Sequence, residues 1–261
     1  MVNSLEEAKE IFRYRELLRN LVARDIKVRY KRSFLGFVWV MLNPLLMMLV
    51  MNIIFSEVFK VTTKNYTAYL LSGIILWNFF AQGTSTAVIS MVQNSNLIKK
   101  IYMPKAVFPL SVVLSATINF AFSLVPLSII FFITGTEVSS HVYLLPLIFI
   151  LVGLFSYGIA LVLSTLTVFF HDTIYIYDVL LLAWMYATPI FYPDSIIPRK
   201  FAVILQFNPL YHFITIFRGA LYMDVPSLAG SVFYGVLFSI ASLVAGWLLY
   251  NRFKDRVVYY L

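Results

Sequence analysis

Residues 107–134 read VFPLSVVLSATINFAFSLVPLSIIFFIT, 28 consecutive positions without one charged side chain. The hydrocarbon core of a bilayer is ~30 Å thick, and a helix needs about 20 apolar residues to cross it. Inside hydrocarbon a lone segment must satisfy its own backbone N–H and C=O groups, which makes this stretch a transmembrane helix.

Outward from it, residues 36–58, 68–91, 142–170, 174–192 and 228–250 form further apolar runs. The whole chain is 61% hydrophobic and 12% charged, where a soluble domain carries about 25% charged residues. The fold class expected is therefore all-α, a polytopic membrane protein with six transmembrane helices occupying residues 36–261 and no separate soluble domain. Cysteine is absent, which excludes disulfides and thiolate metal sites. The first 35 residues hold nine Lys/Arg and five Asp/Glu before any long apolar run, so no cleavable leader is expected.

Residues 201–222 are apolar on average but include Gln206, Asn208, Pro209, His212 and Arg218, each costly at the bilayer centre. Charge bias decides how to count them. Six spans put 15 Lys/Arg on one side and leave five (Lys60, Lys64, Arg199, Lys200 and Arg218) on the other. The positive-inside rule then places both termini in the cytoplasm. Residues 193–222 read as a re-entrant pair of short helices dipping in from the outer face, or else as an amphipathic loop on the surface. Irregular backbone at membrane depth survives where protein or a water-filled pathway satisfies it.

The segment before the first span, residues 1–35, is expected to be a cytoplasmic amphipathic interface helix. Over 9–31, a helical wheel gathers Ile11, Tyr14, Leu17, Leu18, Leu21, Val22, Ile26 and Val28 on one side. Lys9, Arg13, Glu16, Asn20, Arg24, Lys27 and Lys31 lie opposite. Asp25 and Arg29 interrupt the apolar side with i, i+4 spacing, acid first, which suits a self-contained ion pair with the other cations snorkelling to headgroups. Alternatively, Arg24, Lys27, Arg29, Lys31 and Arg32 gather phosphate at the cytoplasmic mouth, arginine being suited to it by its bidentate fork.

Between the second and third spans, residues 93–105 form a short basic connection with room for about two helical turns. Pro104 blocks helix continuation into the next span. It reads either as a solvated loop or as a lever carrying force from a cytoplasmic partner. Nucleotide hydrolysis within this chain is excluded by its glycines. Gly153 with Gly158, and Gly230 with Gly235, have P-loop spacing but are followed by apolar residues inside spans rather than by Lys-Ser/Thr. Ion coupling would need acids or bases deep in the spans, and span middles here are nearly free of them. His171-Asp172, with Asp178 further on, is the one grouping that a membrane-embedded transferase acting on polyprenyl-linked sugars would use.

The run from Arg24 through Trp39, then Asn43-Pro44, Asn96-Leu97-Ile98-Lys99-Lys100 with Pro104, Phe170-His171-Asp172, Thr188-Pro189-Ile190-Phe191-Tyr192, Asn208-Pro209-Leu210-Tyr211 and Phe217-Arg218-Gly219 resembles type-2 ABC exporter permeases of polysaccharides. That family covers the O-antigen, teichoic-acid and capsule branches, and drug or lipid exporters share its architecture. The resemblance implies a homodimer in the bacterial cytoplasmic membrane with two copies of a cytoplasmic ABC ATPase. ATP and Mg²⁺ would be bound there, and this chain would hold no cofactor or metal, perform no catalysis and meet no nucleic acid. It implies a polyprenyl pyrophosphate-linked glycan as cargo, with Arg24 to Arg32 as candidates for the pyrophosphate. Asn96, Leu97, Ile98, Lys99, Lys100, Tyr102, Pro104 and Lys105 become candidates for coupling to the ATPase. Sugar rings stack on aromatic faces, so Tyr186, Phe191, Tyr192, Tyr211 and Tyr222 are candidates for lining the conduit and outer gate.

Overall fold

A computed structural model describes residues 10–58, 65–223, 225 and 228–261. Residues 1–9 of the expected interface helix, including Lys9, lie outside the described residues, as do Lys60 and Lys64. Every regular element among the described residues is helical. Among the described residues, four helical stretches are long and apolar enough to cross a membrane: Gly36–Ser56, Val107–Thr134, Ser140–Phe169 and Leu228–Tyr260.

Helix α1 (Arg15–Tyr30) follows a helical turn over 10–13. Its apolar stripe does not face lipid alone. Leu21 is buried, and Ile11, Tyr14, Leu17 and Leu18 pack with it on Met91, Ile98, Met103, Val107 and Phe108 of the bundle. The helix stops where Lys31 turns extended and Arg32 adopts φ 67°. A 3-10 turn at Gly36–Val38 then leads into α2 (Trp39–Ile53), which ends in a π turn. Pro44 lies inside α2, and its missing N–H deprives the Val40 carbonyl of its helical donor.

Helix α3 (Tyr66–Val88) is the centre of the bundle, mostly buried beneath α2 and the helices that follow. It carries no charged residue. After a break at Ile89 come the short α4 (Ser90–Gln93) and α5 (Ser95–Lys100). Helix α6 (Val107–Thr134) matches the run that opened the reading, and ends at Gly135 in the left-handed region. There the Gly135 N–H and the Thr136 N–H both return to the Phe131 carbonyl, closing the last turn as an αL cap does.

Helices α7 (Leu145–Phe169) and α11 (Leu228–Tyr260) make the most extensive pairing. Small residues allow it. Gly158 lies against the backbone of Ser242 and Gly246 without space for a Cβ, and Ser239 and Ser242 donate to the Leu151 and Phe155 carbonyls at 2.8 and 2.9 Å. Helix α11 continues ten residues past the expected end of its run at 250, carrying Arg252, Lys254, Asp255 and Arg256 beyond the apolar stretch.

The expected run 174–192 is not one helix. Helix α8 (Thr173–Ala187) stops before Pro189, because the proline ring excludes the α conformation at Thr188, which is extended. Residues 188–192 form a turn, followed by a 3-10 turn at Asp194–Ile196 and two short helices, α9 (Arg199–Gln206) and α10 (Pro209–Leu221). Helix α10 is largely buried against α3, α7 and α11.

Candidate functional site

The bundle has two polar ends. At one, α1 meets α5 and the end of α11: Arg24 donates to Asn94 Oδ1 at 2.9 Å, Tyr14 to the Tyr102 carbonyl at 3.0 Å, and Lys105 to the Lys254 carbonyl at 2.8 Å. The pairing expected between Asp25 and Arg29 is not the one formed. Asp25 is held by Arg24 through two contacts of 3.0 and 3.2 Å, which leaves the exposed Arg29 facing a cavity. Lys27, Lys31 and Arg32 are exposed nearby.

That cavity, about 360 Å³, runs from Arg29 and Tyr30 inward between α2, α3 and α6. Burial pushes the Tyr30 phenol above its usual value, against the pull of Arg29, so it remains a neutral donor. Spacing builds the polar wall. Asn78 and Gln82 stand one turn apart on α3, Asn119 and Ser123 one turn apart on α6, and Asn43 precedes the helix-interrupting Pro44. Asn119 donates to Gln82 Oε1 at 2.8 Å, while its Oδ1 is buried without a partner among the described residues. The Ser123 hydroxyl divides its one proton between the Asn119 carbonyl at 2.9 Å and the Val40 carbonyl freed by Pro44 at 3.4 Å.

The connection 93–105 has two sides. Ile98, Met103 and Pro104 are buried, Leu97 and Lys105 partly so, while Asn96, Lys99, Lys100 and Tyr102 face outward. Tyr157 and Tyr250 hydrogen-bond the Ala106 carbonyl and N–H, each at 3.3 Å. These two bonds tie the end of the connection to α7 and α11. His171 and Asp172 sit exposed in the turn between α7 and α8, His171 within hydrogen-bond reach of the Thr167 carbonyl at 3.2 Å.

The opposite end is organised by Arg218, 5% exposed and without a carboxylate partner among the described residues. Its guanidinium donates to the carbonyls of Pro189 at 3.0 Å, Tyr69 at 3.1 Å and Ile190 at 3.2 Å, and lies 3.4 Å from the centre of the Tyr69 ring. Tyr69 donates to the Pro189 and Tyr192 carbonyls, and Tyr66 to that of Phe191. Asn208 caps α10 through Leu210 N–H, accepts from Trp184 at 2.9 Å and donates to Thr188 at 3.0 Å. The aromatic candidates separate here. Tyr192 donates to the Tyr186 carbonyl at 2.6 Å with Phe191 buried beneath; Tyr211 bonds Asp194 at 3.3 Å. Tyr222 instead packs on Phe131 and borders a second cavity, about 470 Å³, with Tyr69, Thr136 and Glu137.

Residues 16–222 match the family described as ABC-2 type transporter. The chain belongs to that family. Its similarity extends along nearly the whole length to the O-antigen export system permease protein RfbA of Klebsiella pneumoniae, at 33% identity covering 92% of this chain and 93% of the relative. The protein of the same name from Myxococcus xanthus is 32% identical over 82% and 83% of the two chains. The capsule polysaccharide export inner-membrane protein CtrC of Neisseria meningitidis is more distant, 24% identical over 91% of each.

The sequence reading named the cations of α1 and the connection 93–105 as candidates. It passed over Tyr66 and Tyr69, and Arg218 entered it as a costly charge, an outer-side cation and part of Phe217-Arg218-Gly219, with no partner assigned. It also missed the amides of the cavity. Part of their signal was present, as Asn78 and Gln82 at i, i+4 within an otherwise apolar run, while Asn43 and Asn119 have no amide at that spacing in theirs.

Proposed function

We propose that this chain is the permease subunit of an ATP-driven exporter that carries a lipid-linked polysaccharide of the O-antigen type from the cytoplasm across the inner membrane. The observation carrying this reading is the similarity to the O-antigen export permease RfbA over more than nine-tenths of both chains. The permease acts as a homodimer with two copies of a separate cytoplasmic ATPase, where ATP and Mg²⁺ are bound, and performs no catalysis itself.

Six spans are proposed, the four long helices plus α3 and α8. This arrangement is supported by the absence of charge from α3 and by the apolar character of α8. Both termini then lie in the cytoplasm, consistent with the gathering of α1, α5 and the basic end of α11 at one pole. Helices α9 and α10 dip in from the outer face, and the turn 188–192 pinned by Arg218 forms the outer gate. Arg29, with Lys27, Lys31 and Arg32 around it, receives the pyrophosphate of the polyprenyl carrier. The exposed Asn96, Lys99, Lys100 and Tyr102 meet the ATPase.

Deleting the gene in its host should leave the glycan on its lipid carrier in the cytoplasmic leaflet and strip it from the cell surface, with recovery on re-expression. Surface glycan at its normal level in the deletion strain would overturn the reading.

A further inference from the structure

The cavity between α2, α3 and α6 is built unlike a packing defect. Burying an amide without a partner is costly, yet three helices each turn an amide toward the same space, and Asn119, 7% exposed, keeps one end unbonded. Rotating the amides by half a turn changes which end of Asn119 bonds Gln82, not the fact that one end is left over. Pro44 adds another unfilled acceptor, the Val40 carbonyl, which receives only a shared donor at 3.4 Å. Neither Asn43 nor Asn78 spends its amide on a described residue, so both are free to donate and accept.

The occupant follows from these groups. Buried acceptors beside free amides call for a ligand rich in hydroxyls, since each hydroxyl both donates and accepts. The walls also hold Trp39, Phe79 and Phe120, surfaces on which the apolar C–H face of a ring can lie. Among the described residues the single charged one in the lining is Arg29, and it stands at the mouth, which places one anionic group outside and an uncharged body within. The volume of about 360 Å³ is at the lower end of small-molecule pockets and suits a ring with its phosphoester rather than a chain. Asn119 is twelve residues into α6, ~18 Å along that helix from its start. A sugar at this depth has left water before the rest of its glycan follows.

We propose that this cavity binds the sugar attached directly to the lipid diphosphate, with the diphosphate on Arg29 and the ring against Asn43, Asn78, Gln82 and Asn119. The inference rests on the reading of the chain as an exporter of lipid-linked polysaccharide and adds to it a site that reads the first sugar.

The test is binding to the full permease–ATPase complex in lipid nanodiscs, using farnesyl diphosphate and farnesyl diphosphates carrying a single glucose, galactose or N-acetylglucosamine. At least one sugar-bearing probe is expected to bind about 10-fold more tightly than the bare diphosphate. Asn119→Ala and Gln82→Ala should bring that ratio close to one without changing affinity for the bare diphosphate, while Arg29→Ala should weaken all probes together. Ser85→Leu fills the cavity from a half-buried position while keeping every amide, and should also abolish the ratio if the amide variants prove poorly folded. A ratio of one for every sugar in the unaltered complex, or one that persists in Ser85→Leu, overturns the proposal. Export is scored separately by surface glycan in the deletion strain. Loss of surface glycan together with a ratio of one would remove the sugar site and leave the export reading standing.

Discussion

Two regions carry polar groups into this apolar bundle, and they treat them in opposite ways. Around the turn 188–192, one guanidinium gathers two carbonyls of the proline break together with the Tyr69 carbonyl of α3, and Tyr66 and Tyr69 collect the neighbouring ones. In the cavity beneath α1, amides converge and Asn119 is left with an unpaired end. The guanidinium spends all but its buried Nε on internal partners and so holds a shape, whereas the amides face a space that a visitor can fill. The first region is scaffold and the second is a site.

The largest expected effect breaks the scaffold. Arg218→Ala takes the charged donor from the carbonyls of Tyr69, Pro189 and Ile190, and leaves that of Ile190 with no other side-chain donor among the described residues, at about 3 kcal/mol. A thermal melt followed by tryptophan fluorescence should show the midpoint falling by about 6–12 °C. Arg218→Lys keeps the charge but loses the planar fork, and should recover only part of that. Asn119→Leu, in contrast, removes an unpaired amide oxygen together with the hydrogen bond to Gln82, and should cost only about 1 kcal/mol. If the two variants melted alike, the distinction between scaffold and site would be lost.

A matched pair on α3 sharpens the comparison within one helix. A Cβ at Gly73 would stand 2.8 Å from Arg218 Nη2 and 3.2 Å from Ile190 Cγ2, whereas one at Gly83 would meet Ala116 Cβ at 3.4 Å, an ordinary contact. Gly73→Ala must displace the guanidinium or the turn and is expected to destabilise by about 1–3 kcal/mol. Gly83→Ala gains helix propensity worth up to ~1 kcal/mol and should be neutral or slightly stabilising in the same melt. Equal losses at both positions would mean that α3 is held with the same tightness along its length.

Much of this was legible in the residues. The run 107–134 became α6 end for end, and the stripe from Ile11 to Leu21 identified the apolar face of α1. What hydropathy could not register was Pro189 inside the run 174–192, since an average over a window is blind to one residue that forbids helix. Periodicity identified the apolar side of α1 but not what would cover it, and half of the answer was protein. The partners of Arg218 were invisible for a different reason: Tyr69 is 149 residues away in sequence. The cavity amides were visible singly, yet a single amide in a span is common, and only the fold puts α2, α3 and α6 side by side.

A small effect on stability concerns Arg24, whose pair with Asp25 is partly exposed and contributes at most about 1 kcal/mol. Its role at the mouth is larger than that figure suggests. Asp25 has the i, i+4 spacing to reach Arg29, and while Arg24 occupies the carboxylate, Arg29 keeps its full charge for the cavity. Arg24→Gln releases Asp25 to pair with Arg29. The melting midpoint should move by no more than about 4 °C, while affinity for the bare farnesyl diphosphate falls about 2–5-fold, the cost of competing with a carboxylate at a solvent-facing site. Adding Asp25→Asn removes the competitor, so the double variant should bind as the unaltered protein does. Persistent weak binding in the double variant would place Arg24 itself among the phosphate ligands, rather than as the residue that keeps Arg29 available.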